Sequence, residues 1–173
     1  LLDYFLDEYA IDTDLKKIGT KVFTGEEVLE DTFVGNSVQE QLEHILKDES
    51  KTCIQVAGNA GCGKKFLLKK ACKATNTKML FVDAGKITSK KHEDALTYGK
   101  LILREGLLLD CGLCFYKVNN EMLEEVIRYY IKPALEQGVR VVLCTTLDTE
   151  LIAMLDEHVE KVSIVPYGRN ERI

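Results

Sequence analysis

The chain has 173 residues, of which 23 are basic and 28 are acidic, so its formal net charge is −5. This length is typical of one domain with a full hydrophobic core. With 46% hydrophobic and 29% charged residues, the composition is that of a soluble globular protein and excludes disordered, collagen-like and disulfide-scaffold proteins.

No apolar run approaches the ~20 residues of a membrane span, so we expect no membrane partner. The chain starts at Leu1 without a basic region before an apolar stretch, and the sequence therefore shows no signal peptide. We expect it to be an excerpt of a longer, cytoplasmic protein.

Hydrophobic periodicity predicts helices and strands that alternate along the chain. A short helical stripe covers 2–9, and a short extended piece covers 21–24. Asn36 is a suitable N-cap for a helix whose apolar positions recur at helical spacing. The compact apolar run 52–57 is typical of a buried strand, and a helical pattern over 64–75 follows it.

The second half of the sequence continues this alternation. The predicted strands cover 79–82, 107–110, 139–144 and 162–165, and the predicted helices cover 94–105, 121–137 and 150–155. Pro133 is expected to kink the long helix and Gly138 to end it. Apolar strands that alternate with helices are typical of a parallel sheet covered by helices on both faces.

The charge is unevenly distributed. Residues 1–63 carry five basic and thirteen acidic groups, whereas residues 64–91 carry nine Lys against Asp83, and residues 92–173 carry nine basic and fourteen acidic groups. The basic segment 64–91 suggests an anionic partner such as a nucleotide phosphate, nucleic acid or the acidic face of a protein. The alternative, which charge alone favours, is that these Lys form the solvated face of one helix.

Six Cys raise the question of disulfides or metal. Apolar surroundings predict that Cys53, Cys72 and Cys144 are buried thiols. Cys111 and Cys114 form a Cys-x-x-Cys pair, but a structural zinc site needs two more ligands at suitable spacing. A redox motif is a weak alternative, and reduced intracellular thiols are the simpler account.

A glycine-rich segment directly follows the strand 52–57 and precedes the helix 64–75. It consists of Gly58, Asn59, Ala60, Gly61, Cys62, Gly63, Lys64 and Lys65. The segment matches G-x-x-x-x-G-K, in which the backbone N–H groups and the helix N-terminus surround a phosphate and Lys64 reaches it. The alternative is a glycine-rich turn that binds nothing.

Two positions of the expected metal chemistry are altered. Lys65 stands where a Ser or Thr hydroxyl would ligate Mg²⁺, and it could instead offer a second ammonium to phosphate. The apolar run 107–110 ends in Asp110, a candidate catalytic residue and Mg²⁺ ligand. The next residue is Cys111, where a catalytic Glu is often found. The alternative for Asp110 is a cap or turn residue.

Over residues 28–165 the sequence resembles the nucleotide-binding αβα subdomain of the AAA+ ATPases. The segment 58–66, which ends at Phe66, resembles Walker A, and 107–110 resembles Walker B. The segment 29–35 resembles the linker that touches adenine, which implies cofactor contacts for Phe33 and Val34. The segment 141–146 resembles the sensor 1 strand, and Thr145 or Thr146 matches the sensor by position.

This resemblance implies a three-layer αβα P-loop fold with a five-stranded parallel sheet in the order 5-1-4-3-2 and no helical lid. The expected units are an N-terminal extension over 1–27, the nucleotide-binding domain over 28–166, and the start of a lid segment over 167–173. ATP or ADP is the expected cofactor, with weakened Mg²⁺ binding. The segment 104–106 and the Gly-Lys-Lys of the loop resemble the degenerate first AAA+ module of certain long prokaryotic ATPases. This resemblance implies that the partners are neighbouring modules or subunits and a protein substrate.

Several departures from that family lower the expected activity. Lys65 and Cys111 replace catalytic groups, the segment 85–88 has no aromatic pore residue, and neither Arg140 nor Arg169 is placed as an arginine finger. The first hypothesis is therefore an ATP-binding AAA+ module with weak or no hydrolysis. The second is a structural or interaction module that binds no nucleotide. Nucleic-acid binding by the basic segment ranks last.

Overall fold

The computed structural model describes residues 21–23, 36–151, 155 and 158–164. The predicted helix 2–9, the adenine-linker residues Phe33 and Val34 and the segment 167–173 lie outside the described residues, as do residues 152–154 of the predicted helix 150–155. The domain boundaries drawn from the sequence therefore stay predictions.

A mixed sheet of six strands forms the centre of the described fold. The strands are β1 (Lys21–Phe23), β2 (Cys53–Gly58), β3 (Met79–Asp83), β4 (Gly112–Val118), β5 (Val141–Thr145) and β6 (Val159–Ile164). The helices are α1 (Asn36–Lys47), α2 (Lys64–Thr75), α3 (Ala84–Ile87), α4 (His92–Leu108), α5 (Leu123–Val126), a π segment (Ile127–Ile131) and α6 (Lys132–Glu136).

Across the sheet the strands lie in the order β1-β3-β4-β5-β2-β6. β1 runs antiparallel to β3, and the other neighbouring pairs are parallel. The five parallel strands, numbered by chain order, read 2-3-4-1-5 from the β1 edge and 5-1-4-3-2 from the β6 edge. The predicted α/β class with a five-stranded parallel sheet is confirmed, and β1 adds an antiparallel strand at one edge.

The two faces of the sheet bury separate apolar clusters. Helices α1 and α2 cover one face, where Leu42 and Leu67 pack with β-strand residues such as Val142. Helix α4 and the segment from α5 to α6 cover the other face, where Ile102 and Tyr130 pack with neighbouring side chains of the sheet. Alternate residues of the interior strands therefore meet opposite helix layers, which explains why β2, β3 and β5 are buried along their whole length. None of the helices in the described part of the chain has the length and apolar character needed to cross a membrane.

The long helix predicted over 121–137 is interrupted at its centre. Residues Ile127–Ile131 form a π turn, and the N–H of Lys132 donates to the Ile127 carbonyl five residues earlier. Pro133 has no N–H to donate to the Tyr129 carbonyl, so the regular helical bond at this carbonyl is missing. The expected effect of Pro133 thus takes the form of a widened turn, which brings the Tyr129 backbone against Gly99 of α4.

Candidate functional site

The glycine-rich loop lies at the carboxyl end of β2, which is an interior strand between β5 and β6. In this loop Gly61 and Gly63 have φ angles of 78° and 88°. This left-handed backbone is costly for residues with a Cβ, so both positions favour glycine. The predicted strand, loop and helix are confirmed, because α2 begins at Lys64 as expected.

The N-terminus of α2 is electropositive. Gly63 provides no side-chain cap, and the first turn contains no acidic residue. The first intrahelical bond runs from the Leu67 N–H to the Gly63 carbonyl at 2.9 Å, so the N–H groups of residues 64–66 have no intrahelical acceptor. Lys64 and Lys65 add positive charge where the helix dipole already favours an anion. The arrangement is therefore complementary to a negative ligand.

The Lys64 side chain folds back over the loop. Its Nζ donates to the Gly58 carbonyl at 2.7 Å and to the Asn59 carbonyl at 3.2 Å. The Cys62 N–H also donates to the Asn59 carbonyl, at 3.2 Å. Asn59 and Ala60 at the tip of the loop are exposed. The ammonium thus stands beside exposed backbone, where a bound anion could exchange for the carbonyl contacts.

The other loop residues predicted to bind a cofactor differ in their exposure to solvent. Gly61 is exposed, and Cys62 and Gly63 are half-buried within the loop. Phe66 lies in the first turn of α2, where its ring is 5.9 Å from the Lys70 Nζ. The structure thus brings residues 58–65 together as one loop and helix start, and it places Phe66 on the helix that follows.

Lys65 points toward a neighbouring strand. Its Nζ lies 4.1 Å from the centroid of the Tyr116 ring, at the carboxyl end of β4. Beside this ring, the Lys117 Nζ lies 3.4 Å from an Asp83 carboxylate oxygen. Burial, and secondarily the charge of Asp83, raise the pKa of the Tyr116 phenol. Neither Tyr116 nor Lys117 was predicted as a site residue, although the aromatic pair Phe115-Tyr116 is a signal for a strand in this segment.

Thr145 lies beside the loop in register, because it pairs with Ala57 of β2. Its side chain is 1% exposed, and its Oγ1 accepts from the Gln55 Nε2 at 2.9 Å and donates to the Thr146 carbonyl at 3.0 Å. The Thr146 hydroxyl donates to Asp148 at 2.6 Å. These contacts tie the end of β5 to its following loop, and the sensor role of Thr145 or Thr146 stays a prediction.

The predicted strand 107–110 is wrong. Leu107 and Leu108 form the end of α4, and Asp110 has a φ of 50° in the turn that follows. The Cys111 N–H donates to the Gly106 carbonyl at 3.0 Å, which is the bond that closes a helix when the residue after its C-cap is left-handed. Asp110 therefore helps to end a helix instead of following a strand.

Asp110 also lies far from the glycine-rich loop. Asp110 precedes β4, whereas the glycine-rich loop follows β2. These strands point in the same direction in a parallel sheet, and seven residues of β4 span roughly 20 Å. Asp110 thus lies at the amino edge of the sheet and the loop at the carboxyl edge. The structure gives no basis for the predicted catalytic and Mg²⁺-binding roles of Asp110.

Replacing Asp110 by glycine should stabilise the protein by about 1 kcal/mol. Glycine adopts the left-handed conformation without the Cβ penalty, and the change also removes a carboxylate from a helix C-terminus. Urea unfolding measures this effect as a higher midpoint at unchanged slope. A loss of stability would show that the Asp110 side chain makes a contact stronger than the backbone penalty.

The described residues do not fit a Mg²⁺ site at the loop. Lys65 offers an ammonium in place of a hydroxyl ligand, and Asp110 lies at the opposite edge of the sheet. Within the described ranges, no group of three His, Cys, Asp or Glu side chains could hold a metal ion. We therefore assign no metal-dependent step to the loop.

All six Cys are free thiols, as expected. Cys111 of the Cys-x-x-Cys pair is buried before β4, and burial raises its thiol pKa to about 12. Cys114 is buried within β4, where its Sγ lies 3.8 Å from the Cys144 Sγ. A reactive redox pair needs a lowered thiol pKa and access to solvent, so this arrangement does not support the redox alternative.

Comparison with known proteins assigns this chain to no family. No family model matches the chain, and no curated protein matches it. Among solved structures, a chain of the "Structure of E. coli MS115-1 HORMA:CdnC:Trip13 complex" is 12% identical, with a TM-score of 0.49. The match covers 75% of this chain and 59% of the solved chain. The present chain therefore spans less than two thirds of the length of the solved chain. A TM-score this low establishes no shared fold or function.

These findings correct the resemblance to the AAA+ ATPases that the sequence suggested. No AAA+ family model matches the chain, and the segment expected to be Walker B is the end of a helix and a turn. The description of the chain as an ATP-binding AAA+ module, with its Walker A, P-loop and hydrolase assignments, is therefore withdrawn.

Proposed function

We propose that this chain is a binding module that takes a phosphate-bearing anion at the loop of residues 58–64 and does not turn it over. One observation carries the proposal: α2 starts with Lys64 and Lys65, has no acid in its first turn, and follows a loop with left-handed glycines. The N–H groups of the first turn, the helix dipole and two ammonium groups all favour negative charge at this point.

The proposed lack of turnover is based on the groups that lie beside the loop in the described part of the chain. A hydrolytic site needs a carboxylate or other base that can orient the attacking water. Asp83, at the carboxyl end of β3, caps α3 by accepting from the Gly85 N–H at 2.9 Å and also pairs with Lys117. Its carboxylate is therefore already used by the protein, and we assign it no catalytic role.

The predicted cofactors ATP and ADP are the first ligands to test, with pyrophosphate as a simpler probe. A ligand that binds only the folded state stabilises it by about 2.7 kcal/mol when its concentration is about 100-fold above the dissociation constant. We expect these anions to raise the thermal midpoint of the wild type. Lys64→Ala should abolish this rise, because it removes the ammonium that stands over the loop.

Lys73 provides a matched control for this experiment. It is an exposed lysine in the last turn of the same helix, so Lys73→Ala removes the same charge away from the loop and should leave the ligand-induced shift unchanged. The proposal is wrong if no phosphate-bearing anion shifts the midpoint of the wild type. Equal shifts for the wild type and Lys64→Ala would also contradict it.

Protein partners, including a neighbouring module, another subunit or a protein substrate, belong to this proposal as well. The feature that favours them is a set of exposed leucines on α4, where Leu107 and Leu108 are about half exposed. Large exposed apolar side chains that lie together can mark a contact surface. Sedimentation velocity would test whether a second copy of the chain covers them.

A further inference from the structure

We draw no further inference here: the strongest candidate, the buried polar cluster in which the Gln55 Nε2 of β2 donates to Thr145 and Thr149 while the Gln55 Oε1 accepts no hydrogen bond, carries no proposal because nothing in the described part of the chain shows which group would donate to that oxygen.

Discussion

Replacing Gly99 by alanine should destabilise the protein by about 2 kcal/mol. A Cβ at this position in α4 would lie 2.5 Å from the Tyr129 carbonyl oxygen and 3.7 Å from a Tyr130 ring carbon. The first contact is with backbone, so a side-chain rotation cannot relieve it. Overpacking of this kind costs about 3 kcal/mol at its upper range, and the better helix propensity of alanine returns about 1 kcal/mol.

The π segment explains why this carbonyl cannot withdraw easily. Tyr129 lies within Ile127–Ile131, and Pro133 supplies no N–H that would draw its carbonyl into a regular helical bond. Moving the carbonyl would displace Tyr130, whose hydroxyl donates to the Ile87 carbonyl at 2.8 Å. The close packing of α4 on the π segment therefore depends on the absence of a side chain at Gly99.

Urea unfolding of Gly99→Ala measures this effect as a lower midpoint. Lys100→Ala is the matched control, because Lys100 is the exposed neighbour on the same helix and its replacement should change the stability by no more than about 0.5 kcal/mol. Equal stability of Gly99→Ala and the wild type would show that α4 can move away from the π segment at little cost.

The second large effect is expected for Arg140→Ala, which should destabilise the protein by about 3 kcal/mol. The Arg140 guanidinium donates to the carbonyls of Leu46 at 2.9 Å, Asp48 at 2.6 Å and Lys51 at 2.9 Å. These carbonyls lie at the end of α1 and in the connection to β2. Arg140 thus satisfies groups that a helix C-terminus leaves without partners.

The expected loss of stability is only about 3 kcal/mol although three hydrogen bonds are removed. Arg140 is half-buried, and water can reach part of the exposed backbone after truncation. Burial lowers the pKa of the guanidinium, but arginine remains charged at neutral pH. Arg140→Lys should have an intermediate effect, since one ammonium cannot reproduce the planar geometry of three guanidinium donors.

Thermal unfolding compares these variants with Arg128→Ala as control. Arg128 is exposed and stacks on Tyr129 at 5.4 Å, so its loss should cost no more than about 1 kcal/mol. If Arg140→Ala is no less stable than Arg128→Ala, the bonds from Arg140 do not hold α1 in place.

The sequence predicts the first half of the described fold well because the signals there are local. Helical spacing after Asn36 and a glycine-rich turn predict α1, β2 and α2. Helix α1 begins at Asn36 itself, and β2 and α2 lie within one residue of their predicted bounds. The two lysines that start α2 were also identified, because the spacing of the loop glycines marks them. These features depend on neighbours in the chain.

The error at 107–110 has a different physical origin. A short apolar run suits a helix end as well as a buried strand, and the deciding contacts are not local. An added Cβ at Gly106 would lie 3.0 Å from a Leu113 side-chain carbon, so the helix end packs closely on the true strand. Likewise, the ion pair between Asp83 and Lys117 joins residues 34 positions apart, and no pattern in the sequence indicates it.

The positions of the cysteines allow the accessibility of the loop to be followed by thiol modification. Cys62 lies half-buried in the loop, whereas the other five cysteines are buried in the core. Since alkylation requires an accessible thiolate, a reagent of moderate size would distinguish two events in one experiment. Modification of one thiol would report local opening at Cys62, slower modification in the presence of a ligand would report shielding of the loop, and modification of all six would report global unfolding.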